Sequence, residues 1–168
     1  ILFVQYTASL GDSYRIVRWL MGGLGAVDLA TVAHMAPLVV AGGAVVLWHA
    51  RSLDLLTTGA EVAASRGVAV VRTRTVLFLA TSVMIGGVVA ACGPIGFVGM
   101  MAPHICRLLV GPGHRVLLPA SALFGGAFLA LCDTAARMVL APAELPVGVI
   151  TAFLGAPFFL WLLVRRTW

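Results

Sequence analysis

Residues 76–109 read VLFLATSVMIGGVVAACGPIGFVGMMAPHICRLL, an almost uninterrupted apolar run of 34 residues. As one α-helix rising 1.5 Å per residue, the run would be about 51 Å long, whereas the hydrocarbon core of a bilayer is about 30 Å thick. Cys92-Gly93-Pro94 lies near its middle, and Pro94 lacks the amide that a continuous helix would use. The run therefore predicts two short membrane spans that fold back on each other.

Three further stretches outside this run have the length and composition of membrane spans. They cover residues 29–48, 119–140 and 147–164, and Asp28 is a plausible N-cap for the first of them. A short apolar run at residues 1–6 resembles the tail of a helix whose start is missing. We therefore expect an all-α polytopic membrane protein with about five complete spans, which is a fragment or one half of a larger membrane protein.

The composition agrees with a membrane protein and excludes several other classes. Hydrophobic residues make up 61% of the chain and charged residues 10%, against roughly 45–50% and about 25% in soluble domains. The net charge of +5 comes from arginines scattered between apolar runs, so it does not form the basic stripe of a nucleic-acid-binding protein. The three cysteines lie in or beside apolar runs without a paired motif, which indicates ordinary core residues.

The distribution of arginines predicts the orientation of the spans, because cytoplasmic loops retain Lys and Arg. Residues 51–75 form the one long polar stretch in the body of the chain. If the C-terminus is cytoplasmic, alternating crossings also place residues 51–75 inside. Eight arginines are then inside, namely Arg51, Arg66, Arg72, Arg74, Arg107, Arg115, Arg165 and Arg166, and three are outside, namely Arg15, Arg18 and Arg137.

Two motifs within the apolar run could carry chemistry. The glycines of residues 93–99 superficially resemble a phosphate-binding loop, but neither a strand before them nor a P-loop lysine after them is present, so an element for packing and bending is favoured. His104 could be a metal ligand, yet no second ligand stands at helical spacing, so a satisfied polar residue is favoured. No catalytic constellation is apparent, and we expect neither catalysis nor a metal site in this chain.

Asp133 and Arg137 are four residues apart and can pair on one face of a helix. Ionisable groups within a membrane are candidates for function, whereas a pair at the end of a span is often structural. The residues alone leave these two interpretations open.

Several ordered motifs resemble the permease family of bacterial ABC importers for iron-siderophores, haem and vitamin B12. The similarity begins at Trp19-Leu20-Met21-Gly22-Gly23 and is densest at residues 93–107. It continues through the following motifs: Gly113-His114-Arg115, Leu117-Leu118-Pro119, Asp133 with Arg137, residues 143–149 and residues 155–159. The resemblance covers almost the whole chain, and it implies the end of the fifth through the tenth span of a ten-span permease.

The resemblance also implies partners and a location. A permease of this family is a homodimer, or one of two paired halves, in the bacterial inner membrane. It works with two cytoplasmic ATPase subunits, which bind the ATP, and with an extracytoplasmic substrate-binding protein. We therefore expect residues 1–168 to form a single transmembrane permease domain without a cofactor of its own.

Specific residues are assigned by the same resemblance. Residues 51–75 contain the family's cytoplasmic coupling region, with candidate contacts to the ATPase at Gly59, Glu61, Ala63, Arg66 and Gly67. Thr58 and Arg66 stand where the family usually has leucine, which is a departure from its pattern. Arg137 matches an outward-facing arginine that meets an acidic residue of the binding protein. The motif that lines or packs the pathway comprises Gly93, Pro94, Gly96, Phe97, Gly99, Pro103 and His104.

A different class of function remains as an alternative, namely an ion-coupled secondary transporter or a channel segment. Secondary transport favours acids buried in the middle of a span, and the one acid within a predicted span is Asp133, near a span end. We therefore favour the ATP-driven importer. The sequence does not distinguish an iron(III)-siderophore cargo from haem or a corrinoid, and iron-siderophore uptake is our first expectation as the commonest task of the family.

Overall fold

The computed structural model describes residues 10–25, 27–139 and 145–165. This part of the chain is helical and contains no β-strand. Its helices are α1 (Leu10–Leu20), α2 (Leu29–Trp48), α3 (Ala50–Leu56), α4 (Ala60–Ser65), α5 (Val70–Cys92), α6 (Val98–Val110), α7 (His114–Val139) and α8 (Val147–Arg165). Four of them, α2, α5, α7 and α8, are long and apolar enough to cross a membrane. The predicted all-α polytopic fold is confirmed.

Helix α2 has the bounds predicted from the sequence. The side chain of Asp28 accepts a hydrogen bond from the backbone N–H of Thr31 at 2.8 Å, so the predicted N-cap is present. The helix ends at Trp48, and the short helix α3 begins two residues later.

The central apolar run folds differently from the expectation of two short spans. Helix α5 has 23 residues and is about 35 Å long, which is a full crossing, whereas α6 has 13 residues and is about 20 Å long. The break at residues 93–97 is where the sequence predicts it. The prediction of a short span was wrong for α5, because this helix begins at Val70 and includes Arg72 and Arg74, which the sequence placed in a loop. An α-helix can extend from the bilayer into water, since its backbone groups are satisfied in both environments.

The remaining boundaries shift by a few residues. The polar stretch 51–75 contains α3, α4 and the first turns of α5. Helix α7 begins at His114, five residues before the predicted start, and it ends at Val139. The predicted features at residues 1–6, 141–144 and 166–168 lie outside the described residues.

The chain divides into two compact units. Of the described residues, the first unit contains 10–25, 27, 91–101, 125–139 and 145–165, and the second contains 28–90 and 102–124. Many large apolar side chains point away from the protein: Phe153, Leu123 and Leu131 are more than 70% exposed. Such exposure is expected of helices whose solvent is lipid rather than water.

Candidate functional site

A cavity of about 380 Å³ lies in the first compact unit, beside the last turns of α7. Its lining includes the guanidinium-bearing side chains of Arg15, Arg18 and Arg137, together with the carboxylate of Asp133. We call it the arginine cavity. Arg15, Arg18 and Arg137 are the three arginines that the distribution of charge predicts to lie on the outer side, and the structure brings them together around this cavity. Among the described lining residues, three cationic groups stand against one anionic group, which favours an anionic partner.

Within the arginine cavity, Arg137 makes the ion pair that the sequence predicts. Its Nε donates to Oδ2 of Asp133 at 2.8 Å, and the Arg137 side chain is 49% exposed. On α1, Arg15 pairs with Asp12. Exposed ion pairs of this kind contribute little to the stability of the fold. Arg15 and Arg137 can therefore give up their carboxylates within the chain and pair with carboxylates of a partner at a small cost in free energy. The sequence identified Arg137 as a site residue but missed Arg15 and Arg18, whose only signal was their predicted position on the outer side.

The backbone beside the arginine cavity is held by direct contact between three segments, which we call the glycine junction (Gly22, Gly93 and Gly148). The N–H of Gly23 donates to the carbonyl of Cys92 at 2.8 Å, and the N–H of Gly148 donates to the carbonyl of Gly22 at 3.2 Å. Hydrogen bonds between backbones of different helices require a close approach that side chains would prevent. The junction therefore joins the end of α1, the break after α5 and the start of α8.

A Cβ atom could not be accommodated at the glycine junction. At Gly93 it would collide with the carbonyl oxygen of Trp19, and at Gly148 with the carbonyl oxygen of Met21. Gly93 also has φ +71°, a backbone conformation that residues with a side chain rarely adopt. Two independent constraints thus require glycine at position 93.

The rest of the predicted pathway motif has mixed surroundings. Phe97, at the start of α6, has φ +68° and lies against Gly155, where an added Cβ would collide with its ring and Cβ. By contrast, no atom of the described residues other than the chain neighbours lies within 4 Å of the place where a Cβ would stand at Gly96 or Gly99, so neither packs closely against that part of the chain. Pro94 is exposed, while Pro103 and His104 are half-buried, the latter two within α6. No group of three metal-ligating side chains occurs among the described residues.

The predicted coupling residues lie on and around the short helix α4, and we call residues 59–67 the coupling segment. Gly59 precedes the helix with φ +117°, and Gly67 follows it with φ +84°. The end of the helix is a Schellman motif, in which the N–H of Gly67 donates to Ala64 and the N–H of Val68 donates to Ala63. The two glycines thus set the direction of the backbone on both sides of α4.

The side chains of the coupling segment are largely exposed. Ala63 is fully buried, whereas Glu61 and Arg66 are exposed and Val62 is 41% exposed. In the part of the chain that the structure describes, no atom beyond the chain neighbours lies within 4 Å of the place where a Cβ would stand at Gly59 or Gly67. The segment is anchored through one small side chain and presents the others to its surroundings.

The structure adds a contact that sequence reasoning missed. Asp54, on α3, accepts hydrogen bonds from the backbone N–H of His114 at 2.9 Å and from its Nδ1 at 2.6 Å. These bonds, and the nearby positive charge of Arg115, hold the pKa of the Asp54 carboxyl below its ordinary value. No local pattern could reveal a partner 60 residues away in the sequence.

Comparison with known proteins identifies the family. The model of the FecCD transport family matches residues 1–165. The chain belongs to the FecCD transport family. The resemblance seen in the sequence motifs is thereby confirmed.

Curated relatives of this FecCD-family chain are named as permeases of import or transport systems. It is 51% identical to the cobalamin import system permease BtuC of Halobacterium salinarum, covering 88% of this chain and 40% of that protein. It is 43% identical to the hemin transport permease HmuU of Yersinia pestis, covering 88% and 44%. It is 46% identical to the Fe(3+) dicitrate transport permease FecD of Escherichia coli, covering 92% and 48%. The chain spans somewhat less than half the length of these relatives.

A solved structure agrees with the family assignment. It is a metal-chelate type ABC transporter in an inward-facing conformation, with a TM-score of 0.85 and 31% identity. The match covers 97% of this chain and 53% of the other chain. Together with the four candidate spans, these matches confirm the prediction of a multi-pass protein of the inner membrane.

Proposed function

We propose that this chain forms part of the translocation pathway of a permease subunit in an ATP-driven importer of metal chelates. The observation that carries the proposal is the family match across residues 1–165, since the relatives are named as permeases for cobalamin, hemin and iron dicitrate. The geometry adds two sites with the properties that such a permease needs. One is the cationic arginine cavity, and the other is the exposed coupling segment.

The two sites suit two different partners. An extracytoplasmic binding protein would dock at the arginine cavity through acidic side chains, because a guanidinium binds a carboxylate through two parallel hydrogen bonds. A cytoplasmic ATPase would receive the coupling segment, whose side chains other than Ala63 are available to a groove. In this proposal ATP is bound by the ATPase, the chain itself has no cofactor and is not an enzyme, and the permease pairs with a second copy or a second half.

The contact between Asp54 and His114 supports the proposed orientation of the chain in the membrane. It holds α3 and the start of α7 together within the second unit, and both belong to regions that the arginine distribution predicts to be cytoplasmic. Residues 51–75 thus remain our candidate for the cytoplasmic coupling loop.

For the cargo, we propose a chelate of the class that includes iron(III)-siderophores, haem and corrinoids, with an iron(III)-siderophore as the first choice. Uptake by the permease, reconstituted in proteoliposomes with its ATPase and binding protein, tests the function. We expect accumulation of one labelled chelate that depends on ATP hydrolysis. Accumulation that follows an ion gradient without the ATPase would instead establish the alternative, an ion-coupled secondary transporter or channel segment.

A further inference from the structure

The contact between Asp54 and His114 links the helix before the coupling segment to a membrane span. His114 is the first residue of α7, where backbone N–H groups have no partner within the helix. Asp54 accepts from that N–H and from the imidazole of the same residue, both through Oδ1. A carboxylate from another helix therefore caps α7, in the position that a neighbouring Ser or Asp would ordinarily fill.

The chemistry of this contact makes it stronger than an ordinary surface pair. The carboxylate accepts from two donors at 2.9 and 2.6 Å, and it faces the positive end of the α7 dipole. The side chain of His114 is only 14% exposed, so water competes weakly for its ring. Because the carboxyl oxygen accepts, Nδ1 of His114 carries the proton in this contact.

The neighbouring side chains of the same loop behave differently. The hydroxyls of Thr57, Thr58 and Ser65 donate to carbonyls three residues earlier, so they stabilise their own turns. Asp54 instead reaches 60 residues along the chain, from α3 to α7. Between Asp54 and the coupling segment the backbone continues as a hydrogen-bonded turn, in which Thr58 and Gly59 donate to Leu55 and Leu56.

We propose that Asp54 and His114 form a clasp that transmits movement of the coupling segment to helix α7. This role rests on the proposed coupling function. When an ATPase moves α4, the hydrogen-bonded turn carries α3 with it, and the clasp pulls on the first turn of α7. Asp54 is thus a positioning residue, which acts on the transport pathway through His114.

The test measures cargo transported per ATP hydrolysed by the reconstituted complex of permease, ATPase and binding protein. We expect Asp54→Ala, which removes both hydrogen bonds, to lower this ratio about tenfold, and His114→Ala, which removes only the bond from Nδ1, to lower it about threefold. The double variant should be no worse than Asp54→Ala alone, because that change already removes both bonds of the clasp. Asp54→Asn keeps an oxygen that can accept from His114 and should retain about half of the ratio.

Controls separate the clasp from a merely structural role and from failure of the coupling proposal. Thr81→Ala removes a hydroxyl that bonds within its own helix, α5, outside the coupling loop and the clasp, so it should leave the ratio unchanged. If Asp54→Ala lowers thermal stability but not the ratio, or if the two single effects add in the double variant, the clasp is refuted.

If Gly59→Val uncouples transport while Asp54→Ala does not, the clasp is refuted and the proposed role of the coupling segment stands. If neither change affects the ratio, the coupling function itself is wrong. Should Asp54→Ala not assemble, His114→Ala decides, since it keeps the backbone N–H.

Discussion

The glycine junction and the coupling segment use the same residue type in opposite ways. At the junction, Gly93 has φ +71° and its α-carbon faces the backbone of another segment, so nothing larger fits. In the coupling segment, Gly59 and Gly67 also have positive φ, but the space around them is open. The glycines of the junction allow segments of the chain to pack directly against each other. The glycines of the coupling segment set the direction of the backbone and leave the segment exposed. Positive φ alone therefore does not distinguish a packed glycine from one that directs a surface loop.

The largest effect should come from filling the junction. We expect Gly93→Ala to cost about 3–5 kcal/mol of stability, because positive φ and a steric collision both oppose the methyl group. Gly96→Ala, three residues later, meets open space and should cost much less. Thermal unfolding and assembly in detergent compare the two. Equal destabilisation would remove the distinction between packed and open glycines within this motif.

Substitution in the coupling segment should damage transport rather than assembly. Gly59→Val and Gly67→Val each place a β-branched residue at positive φ, with local strain of about 1–3 kcal/mol but no collision. We expect the complex to assemble and to lose most of its uptake, since strain redirects the backbone around α4. Normal uptake by both assembled variants would show that these glycines do not take part in coupling.

Arg137 extends the comparison of the two regions to a binding site, because it lines the arginine cavity beside the glycine junction. Arg137→Ala should weaken docking of the binding protein by about 1–3 kcal/mol, the range for a hydrogen bond to a charged group. Assembly should change little, since the pair with Asp133 is partly exposed. Affinity for the binding protein in nanodiscs measures the effect, and Asp133→Asn, which keeps the guanidinium, is the matched control. Unchanged docking with poor assembly would make Arg137 a structural partner of Asp133.

The smallest effect concerns pH and the carboxyl of Asp54. Its pKa is lower in the fold than the ordinary value of 3.8, so its ionised form stabilises the fold. This contribution is complete above that ordinary value and is lost as the pH falls through the lowered pKa. The melting temperature of the wild type should therefore fall more steeply in acid than that of Asp54→Asn. Parallel acid profiles would show that the bonds to His114 do not stabilise the ionised carboxyl.

The sequence predicted those features of the fold that depend on local chemistry. The length of the apolar stretch predicted both ends of α2 correctly, and the carboxylate of Asp28 predicted its N-cap. The break at Gly93-Pro94 was predicted because proline has no backbone N–H to donate within a helix. It misplaced the start of α5, because arginines in the first turns of a helix look like a loop when only composition is read.

For the candidate site, the sequence identified Arg137 and the glycines of the coupling segment. It could not show that Arg15 and Arg18 share a cavity with Arg137, nor that Asp54 caps a helix beginning 60 residues later. Both contacts depend on which helices pack together, and no periodicity or capping pattern encodes this.

The arginine distribution predicts that the arginine cavity and the coupling segment face opposite sides of the membrane, and labelling of single cysteines in intact cells tests this most directly. In a background without Cys92, Cys106 and Cys132, which are buried, the probes are Tyr14→Cys in the cavity and Glu61→Cys in the coupling segment. With an impermeant thiol reagent, we expect labelling at position 14 in intact cells and labelling at position 61 only after permeabilisation. Labelling at position 61 but not at position 14 in intact cells would contradict the predicted orientation of the chain in the membrane.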